Sequence, residues 1–151
     1  MAKILVTGGT GYIGSHTVVE LFEAGYEVIV VDDFSNSDPK ILDQIEKISG
    51  KKPDFQKLDL CKEDDVKAFA LQHQDITGII HFAAFKSVPE STEKPLLYYR
   101  NNMDGLFHLL EGVEKYGIPN FVFSSSCSVY GIVDILPVTE ETEFKEAQCA
   151  Y

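Results

Sequence analysis

A doubly wound α/β domain, with helices on both faces of a parallel sheet, is predicted by three features of these 151 residues. Short β-branched runs alternate with amphipathic helical segments, which is the pattern of right-handed βαβ units. The strand interiors are almost entirely apolar, as a sheet covered on both faces requires. Glycines stand at positions 25, 50 and 117, each where a helical pattern stops.

The elements follow in order. Residues 3–7 are a β-branched run and form the first strand. Residues 12–24 have helical spacing through Ile13, Val18 and Leu21, with Gly25 at the C′ position. Residues 27–31 are a nearly all-apolar second strand. Residues 41–48 place Ile41, Leu42, Ile45 and Ile48 on a helical face and stop at Gly50. Residues 55–60 are a weaker third strand, and residues 63–72 a helix carried by Val66, Phe69 and Ala70. Residues 77–83 form the fourth strand, residues 96–116 one long helix ending before Gly117, and residues 120–125 the fifth strand. From residue 132 to 151 the pattern weakens into a loop rich in Glu and Thr. No repeat, low-complexity tract or linker interrupts the chain, so residues 1–151 read as one domain.

Composition excludes several function classes. At 44% hydrophobic and 25% charged, the chain carries enough apolar material for a core. Twenty-four acidic against 13 basic residues give a formal net charge of −11 and no basic stripe, which argues against nucleic acid or an anionic membrane surface as partner. No apolar run approaches the ~20 residues of a membrane span. The Met-Ala-Lys opening and the short 4–6 apolar run lack the longer apolar region of a signal peptide. Cys61, Cys127 and Cys149 are odd in number and without Cys-x-x-Cys spacing, which fits reduced thiols in a cytoplasmic protein. His16, His73, His81 and His108 are scattered, with no pair at metal spacing, and are expected to be structural or solvated; no metal site is expected.

The strongest local signal is Thr7-Gly8-Gly9-Thr10-Gly11-Tyr12-Ile13-Gly14. It follows a strand and opens a helix, the context a dinucleotide-binding turn needs. Gly8 permits the sharp turn, Gly11 lets backbone approach a pyrophosphate, and Gly14 lets helix and strand pack closely. The phosphates would lie at the helix N-terminus, where free N–H groups and the dipole favour anions. No acidic side chain occurs in that helix before Glu20. A bare tight turn would share the glycines, but the second strand adds Asp32, 18 positions beyond Gly14. A carboxylate about 20 residues on receives the adenosine ribose in NAD enzymes. Asp33, Phe34, Ser35, Asn36 and Ser37 follow, with no cation before Lys40, so a 2′-phosphate would meet two carboxylates; NAD is expected over NADP. The fold is therefore expected to be of the Rossmann type.

Three further blocks carry a resemblance: His81-Phe82-Ala83-Ala84-Phe85-Lys86-Ser87-Val88-Pro89-Glu90-Ser91, then Lys94-Pro95-Leu96-Leu97-Tyr98-Tyr99-Arg100-Asn101-Asn102, then 120–131 with its serine run Ser124-Ser125-Ser126. With the Thr-Gly-Gly-Thr-Gly-Tyr-Ile-Gly turn they resemble, in order and spacing, the UDP-glucose 4-epimerase family of the extended short-chain dehydrogenase/reductases. The resemblance runs over essentially the whole chain. It implies cofactor contacts at Tyr12 and Ile13, at Asp32 through Ser37, at Asp59 and Leu60 beside adenine, at Phe82, Ala83, Ala84, Phe85 and Lys86, and at Asn101, Ser126 and Tyr151. The ends of strands three and four, where several of these fall, are where ligands meet a parallel sheet. Phe82 and Phe85 would also suit core packing, and Lys86 a plain surface position.

The same resemblance implies that Ser126 hydrogen-bonds the sugar hydroxyl that is oxidised, and that Tyr151 is the catalytic tyrosine, so both are catalytic and substrate-binding candidates. The family pattern continues Tyr-x-x-x-Lys, and a lysine at i+4 shares a helix face with the phenol and favours its anion. The sequence stops at Tyr151, so the lysine, its helix and the substrate-binding region are missing, and five of the family's strands are expected in an incomplete NAD-binding domain. Interconversion of UDP-glucose and UDP-galactose is implied for the intact enzyme, a homodimer built partly on the 96–116 helix. These 151 residues are expected to be inactive and without the native dimer. A related sugar-nucleotide epimerase or dehydratase, or a non-catalytic NAD-binding relic, are the alternatives.

Overall fold

The computed structural model describes residues 1–151. Its centre is β1 (Lys3–Thr7), paired in parallel with β2 (Glu27–Asp32) on one side and β4 (Ile76–His81) on the other. β3 (Asp54–Lys57) extends the sheet beyond β2, and β5 (Phe121–Phe123) beyond β4, giving the all-parallel order β3-β2-β1-β4-β5. Strand order reverses between β1 and β4, so a crevice opens at their carboxyl ends. This is the predicted Rossmann arrangement.

Alternation along each strand divides the core between the two faces. On one face Val6, Val28 and Val30 meet Val18 and Phe22 of α1 (Tyr12–Glu23) and Ile45 of α2 (Lys40–Ser49). On the other, Leu5, Ile29, Val31 and Ile79 meet Val66 and Phe69 of α3 (Glu63–Gln72) and Leu109 of a later helix. Each fully buried aliphatic side chain of this kind contributes about 1.5–3 kcal/mol. Gly50 and Gly117 end their helices in the left-handed conformation, as predicted.

Four boundaries depart from the sequence expectation. β3 stops at Lys57 and β4 at His81, so Asp59, Leu60 and Phe82–Lys86 lie in the loops just past the strands rather than at their ends. Strand β5 has only three residues, paired with Ile79–His81 of β4. The helix expected over 96–116 is interrupted. It consists of α5 (Pro95–Tyr99), a π-helical turn (Arg100–Asp104) and α6 (Gly105–Tyr116). A short α4 (Val88–Glu93) precedes it, with the Ser87 hydroxyl accepting from Glu90 N–H and a proline in its first turn. Its local start signal is Ser87 with Pro89 and Glu90 behind it.

The segment after β5 makes one 3₁₀ turn (Cys127–Tyr130) and is otherwise irregular, as expected. It folds back on itself: Lys145 N–H donates to Val129 O at 3.2 Å, and the Tyr130 and Phe144 rings pack 5.6 Å apart. No helix is long and apolar enough to cross a membrane.

Candidate functional site

The glycine turn is held from three sides. Gly8 sits at φ +66, donates its N–H to Val31 O at 2.9 Å, and accepts from Gly11 N–H at 3.0 Å. A Cβ on Gly8 would stand 2.8 Å from Ala83 N, and one on Gly14 would strike the Gly8 carbonyl and lie 2.9 Å from Gly9 Cα. Both glycines are therefore demanded by close backbone packing at the switch point. Gly9, which the motif reading passed over, is equally constrained, since a Cβ there would come 2.6 Å from a Val30 methyl. Gly11 differs: its Cβ would meet only the Gly8 carbonyl, at 3.2 Å.

Gly11 is the N-cap of α1 and brings no side chain to it, and the first turn has no acidic residue. The first N–H groups of α1 lack intrahelical partners, and with the helix dipole they give this end a partial positive charge. Tyr12 and Ile13 stand at this end with exposed side chains. This uncapped terminus and the surrounding glycine cradle fit a pyrophosphate.

Asp32 ties the turn to β2. Its Oδ2 accepts from Thr10 N–H at 3.2 Å, and its Oδ1 from Phe34 N–H at 2.9 Å and the Ser37 hydroxyl at 3.1 Å. Thr10 Oγ1 and Ser37 Oγ close the ring at 2.7 Å. Thr10 is nearly inaccessible, and this bracing role was not read from the sequence. The 33–37 loop turns sharply: Asp33 Oδ1 accepts from Ser35 N–H at 2.8 Å, and Phe34 takes φ +63 while its ring stacks on Phe55 at 5.0 Å. Asn36 lies on this loop's exposed surface.

Past β3, Asp59 accepts from Cys61 N–H at 3.0 Å, and Leu60 O accepts from His108 Nδ1 at 2.8 Å. Burial and then the neighbouring Asp59 raise the Cys61 thiol to about 11. Its Sγ faces Asn101 O at 3.6 Å.

Past β4, Phe82 N–H donates to Thr7 O at 3.1 Å, and Ala83 N–H reaches Thr7 Oγ1 at 3.4 Å. Thr7 Oγ1 also contacts His81 Nδ1 at 2.7 Å. His81 is structural, as expected: buried at 3% exposure, with burial pushing its imidazole down to about 4. The loop continues through Ala84, and Phe85 is then gripped by Asn102, which accepts from Phe85 N–H at 2.8 Å and donates to Phe85 O at 3.0 Å. Asn101 Nδ2 in turn donates to Asn102 Oδ1 at 2.9 Å. The Tyr98 hydroxyl accepts from Ser87 N–H at 3.1 Å and donates to Glu90 at 3.0 Å, so Lys86 sits between two anchored neighbours. The motif contains Asn102 and Tyr98 but does not by itself assign them these partners, and the π turn that sets Asn102 has no local sequence signal.

Past β5, at the start of the 3₁₀ turn, Ser126 Oγ accepts from Ser128 N–H at 3.2 Å and from the Ser128 hydroxyl at 2.9 Å, which leaves its own O–H free to donate. Tyr151 is half-buried, and its main-chain oxygen lies 3.5 Å from Ser128 Oγ. No group of His, Cys, Asp or Glu side chains could hold a metal ion.

Comparison with known proteins places this crevice in a family. The chain is 48% identical over 138 residues to UDP-glucose 4-epimerase of Bacillus subtilis, covering 91% of this chain and 40% of that protein. It is 44% identical over 146 residues to the mouse UDP-glucose 4-epimerase, covering 93% and 42%. Among solved structures, the UDP-glucose 4-epimerase from Stenotrophomonas maltophila with bound NAD and formylated UDP-arabinopyranose superposes with a TM-score of 0.92 at 40% identity, covering all of this chain and 44% of that one. The Bifidobacterium longum enzyme in complex with NAD+ and UDP gives 0.88 at 41% identity, covering 95% and 43%. The chain thus spans about two fifths of the length of the curated relatives it matches. Residues 4–151 match one family description, so the chain belongs to the NAD dependent epimerase/dehydratase family.

Proposed function

We propose that residues 1–151 form the NAD-holding part of a UDP-glucose 4-epimerase. The observation that carries this reading is the uncapped, acid-free N-terminus of α1 inside a glycine cradle, with Asp32 on the next strand. NAD is the cofactor of this reading, in keeping with the family description and with the bound cofactor of the relatives. Gly8, Gly11, Tyr12, Ile13 and Gly14 would hold its pyrophosphate by backbone. Asp32 to Ser37 would hold the adenosine ribose, Asp59 and Leu60 the adenine, and Phe82 to Lys86 with Asn101 the nicotinamide half. When bound, NAD supplies a hydride acceptor that returns the hydride within the same turnover.

In the complete enzyme the Ser126 hydroxyl would orient the sugar 4-hydroxyl, using the O–H that Ser128 leaves free. Tyr151 would take the proton of that hydroxyl on its phenolic oxygen, as general-base catalysis requires. UDP-glucose and UDP-galactose are the proposed substrates, after the relatives' names. Because the matched relatives are more than twice as long, these residues alone are proposed to bind cofactor without completing the reaction. Pairing of complete subunits would use the apolar residues exposed along α5, the π turn and α6, among them Leu96, Tyr99, Met103 and Phe107.

A titration of NAD into this chain tests the cofactor reading. Saturable one-to-one binding that is lost in Asp32→Ala is expected; no binding to the folded chain overturns it. A coupled assay of UDP-galactose conversion, with NAD added, tests the rest. Turnover should be undetectable with these residues and present when a relative's remaining three fifths are fused to them.

A further inference from the structure

Lys86 lies in the loop that leaves β4, with an exposed side chain. It takes part in none of the ion pairs, which engage Lys3, Lys67, Lys94, Arg100 and Lys145. Its backbone neighbours, in contrast, are fixed on both sides. Before it, both backbone polar groups of Phe85 are bonded to the Asn102 side chain. After it, Ser87 is held at three points. Its N–H donates to the Tyr98 hydroxyl at 3.1 Å, its carbonyl accepts from Ser91 N–H at 2.9 Å, and its hydroxyl accepts from Glu90 N–H at 3.4 Å. One helical segment, α5 with the π turn that continues it, supplies both Tyr98 and Asn102.

Tyr98 is the partner whose chemistry is least explained by packing. At 1% exposure, with its ring 5.8 Å from that of Phe85, it occupies a position where a phenylalanine would serve the core. A buried hydroxyl is costly unless it is hydrogen-bonded, and this one is used twice. It donates its single O–H to Glu90 at 3.0 Å, which leaves the lone pairs of its oxygen for Ser87 N–H.

Resting on the reading above that residues 82–86 hold the nicotinamide half of NAD, we propose that Tyr98 is a positioning residue for Lys86. Its hydroxyl, with Asn102 on the other side, fixes the backbone from which Lys86 presents its ammonium to the cofactor. Tyr98 is itself too buried to touch that cofactor. Ordering a residue on binding costs conformational entropy. A lysine whose flanking residues are fixed before the cofactor arrives avoids that cost in the complex.

The test is titration of NAD and of 5′-AMP, which carries the adenosine half alone. The proteins are this chain, Tyr98→Phe, Lys86→Gln and the double variant, each checked for fold by circular dichroism. Tyr98→Phe keeps the ring and removes only the hydroxyl. It should weaken NAD about fivefold, the scale of one net hydrogen bond, and leave 5′-AMP unchanged. In the Lys86→Gln background the same substitution should cost NAD nothing further. A second measurement needs no variant: in the unaltered chain without NAD, the Phe85 and Ser87 amides should already be protected from hydrogen exchange. Equal weakening of NAD by Tyr98→Phe in both backgrounds, equal loss of NAD and 5′-AMP, or no loss of NAD overturns the proposal, while NAD binding that Lys86→Gln weakens upholds the reading beneath it. Protection of those two amides only after NAD is added overturns the proposal by itself. Failure of the unaltered chain to bind NAD, or NAD binding that Lys86→Gln leaves unchanged, overturns the proposal together with the role of Lys86 on which it rests.

Discussion

Asn102 holds Phe85 by both of its backbone polar groups, accepting from its N–H at 2.8 Å and donating to its carbonyl at 3.0 Å. The two residues are 17 positions apart, and the bond pair crosses from the π turn to the loop that leaves β4. A π turn lengthens the helical ring by one residue, and here it falls where the asparagine must reach sideways. Phe85 and its neighbours are thereby fixed at the mouth of the crevice without belonging to any regular element.

Asn102→Ala should therefore destabilise the fold by about 1–3 kcal/mol, the sum of two net hydrogen bonds between half-buried partners. Asn102→Asp keeps the acceptor but sets a carboxylate oxygen against the Phe85 carbonyl, so it should recover little of the loss. Denaturant unfolding of the three proteins reads this directly. An unchanged midpoint for Asn102→Ala would count against the grip.

Two helical glycines should respond in opposite directions to alanine. In Gly14→Ala the new methyl strikes the Gly8 carbonyl and the Gly9 Cα, both of them backbone, so α1 must move off the turn at a cost of about 3 kcal/mol or more. In Gly112→Ala the methyl meets Ala70 Cβ at an ordinary 3.6 Å. There the gain in helix propensity should stabilise by about 0.5–1 kcal/mol. Thermal melts of both variants decide it, and a stabilised Gly14→Ala would be incompatible with the observed packing.

His81 should make stability depend on pH. Burial lowers its folded value from 6.5 to about 4. Between those values the unfolded chain binds a proton that the folded chain refuses, so stability falls as pH drops from about 6.5 to about 4, and is unaffected by this group at neutral pH. The full loss is about 3 kcal/mol. His81→Asn should be less stable at pH 7 but show a flatter decline toward pH 4. Parallel profiles for the two proteins would remove His81 as the cause.

Cys61 should be the slow thiol. With a value near 11, raised by burial and then by Asp59, it holds about a hundredfold less thiolate at pH 8 than an unshifted thiol. Peptide mapping after brief alkylation should find Cys127, which is exposed, modified well before Cys61. Neutralising one contributor in Asp59→Asn should speed Cys61 labelling. Equal rates at Cys61 and Cys127 would contradict the assigned environment.

The sequence alone determined the parallel βαβ order, the glycine turn, the Asp32 position and the ends of α2 and α6. These are all local in origin: periodicity, propensity and left-handed glycines act within a few residues of themselves. Strand ends are read too long because pairing, not propensity, terminates a strand: β4 stops at His81, where its pairing with Thr7 of β1 and Phe123 of β5 ends. The π turn at Arg100–Asp104 has no local signal, and the partner its Asn102 meets, the Phe85 backbone, lies on another loop. The Thr10–Ser37–Asp32 ring, the close packing of Gly9 on Val30 and the approach of Lys57 to Phe34 likewise join residues far apart in the chain. Such contacts depend on sheet order and register, which are global properties. Only the tertiary structure could therefore decide which charges and donors face one another across the crevice.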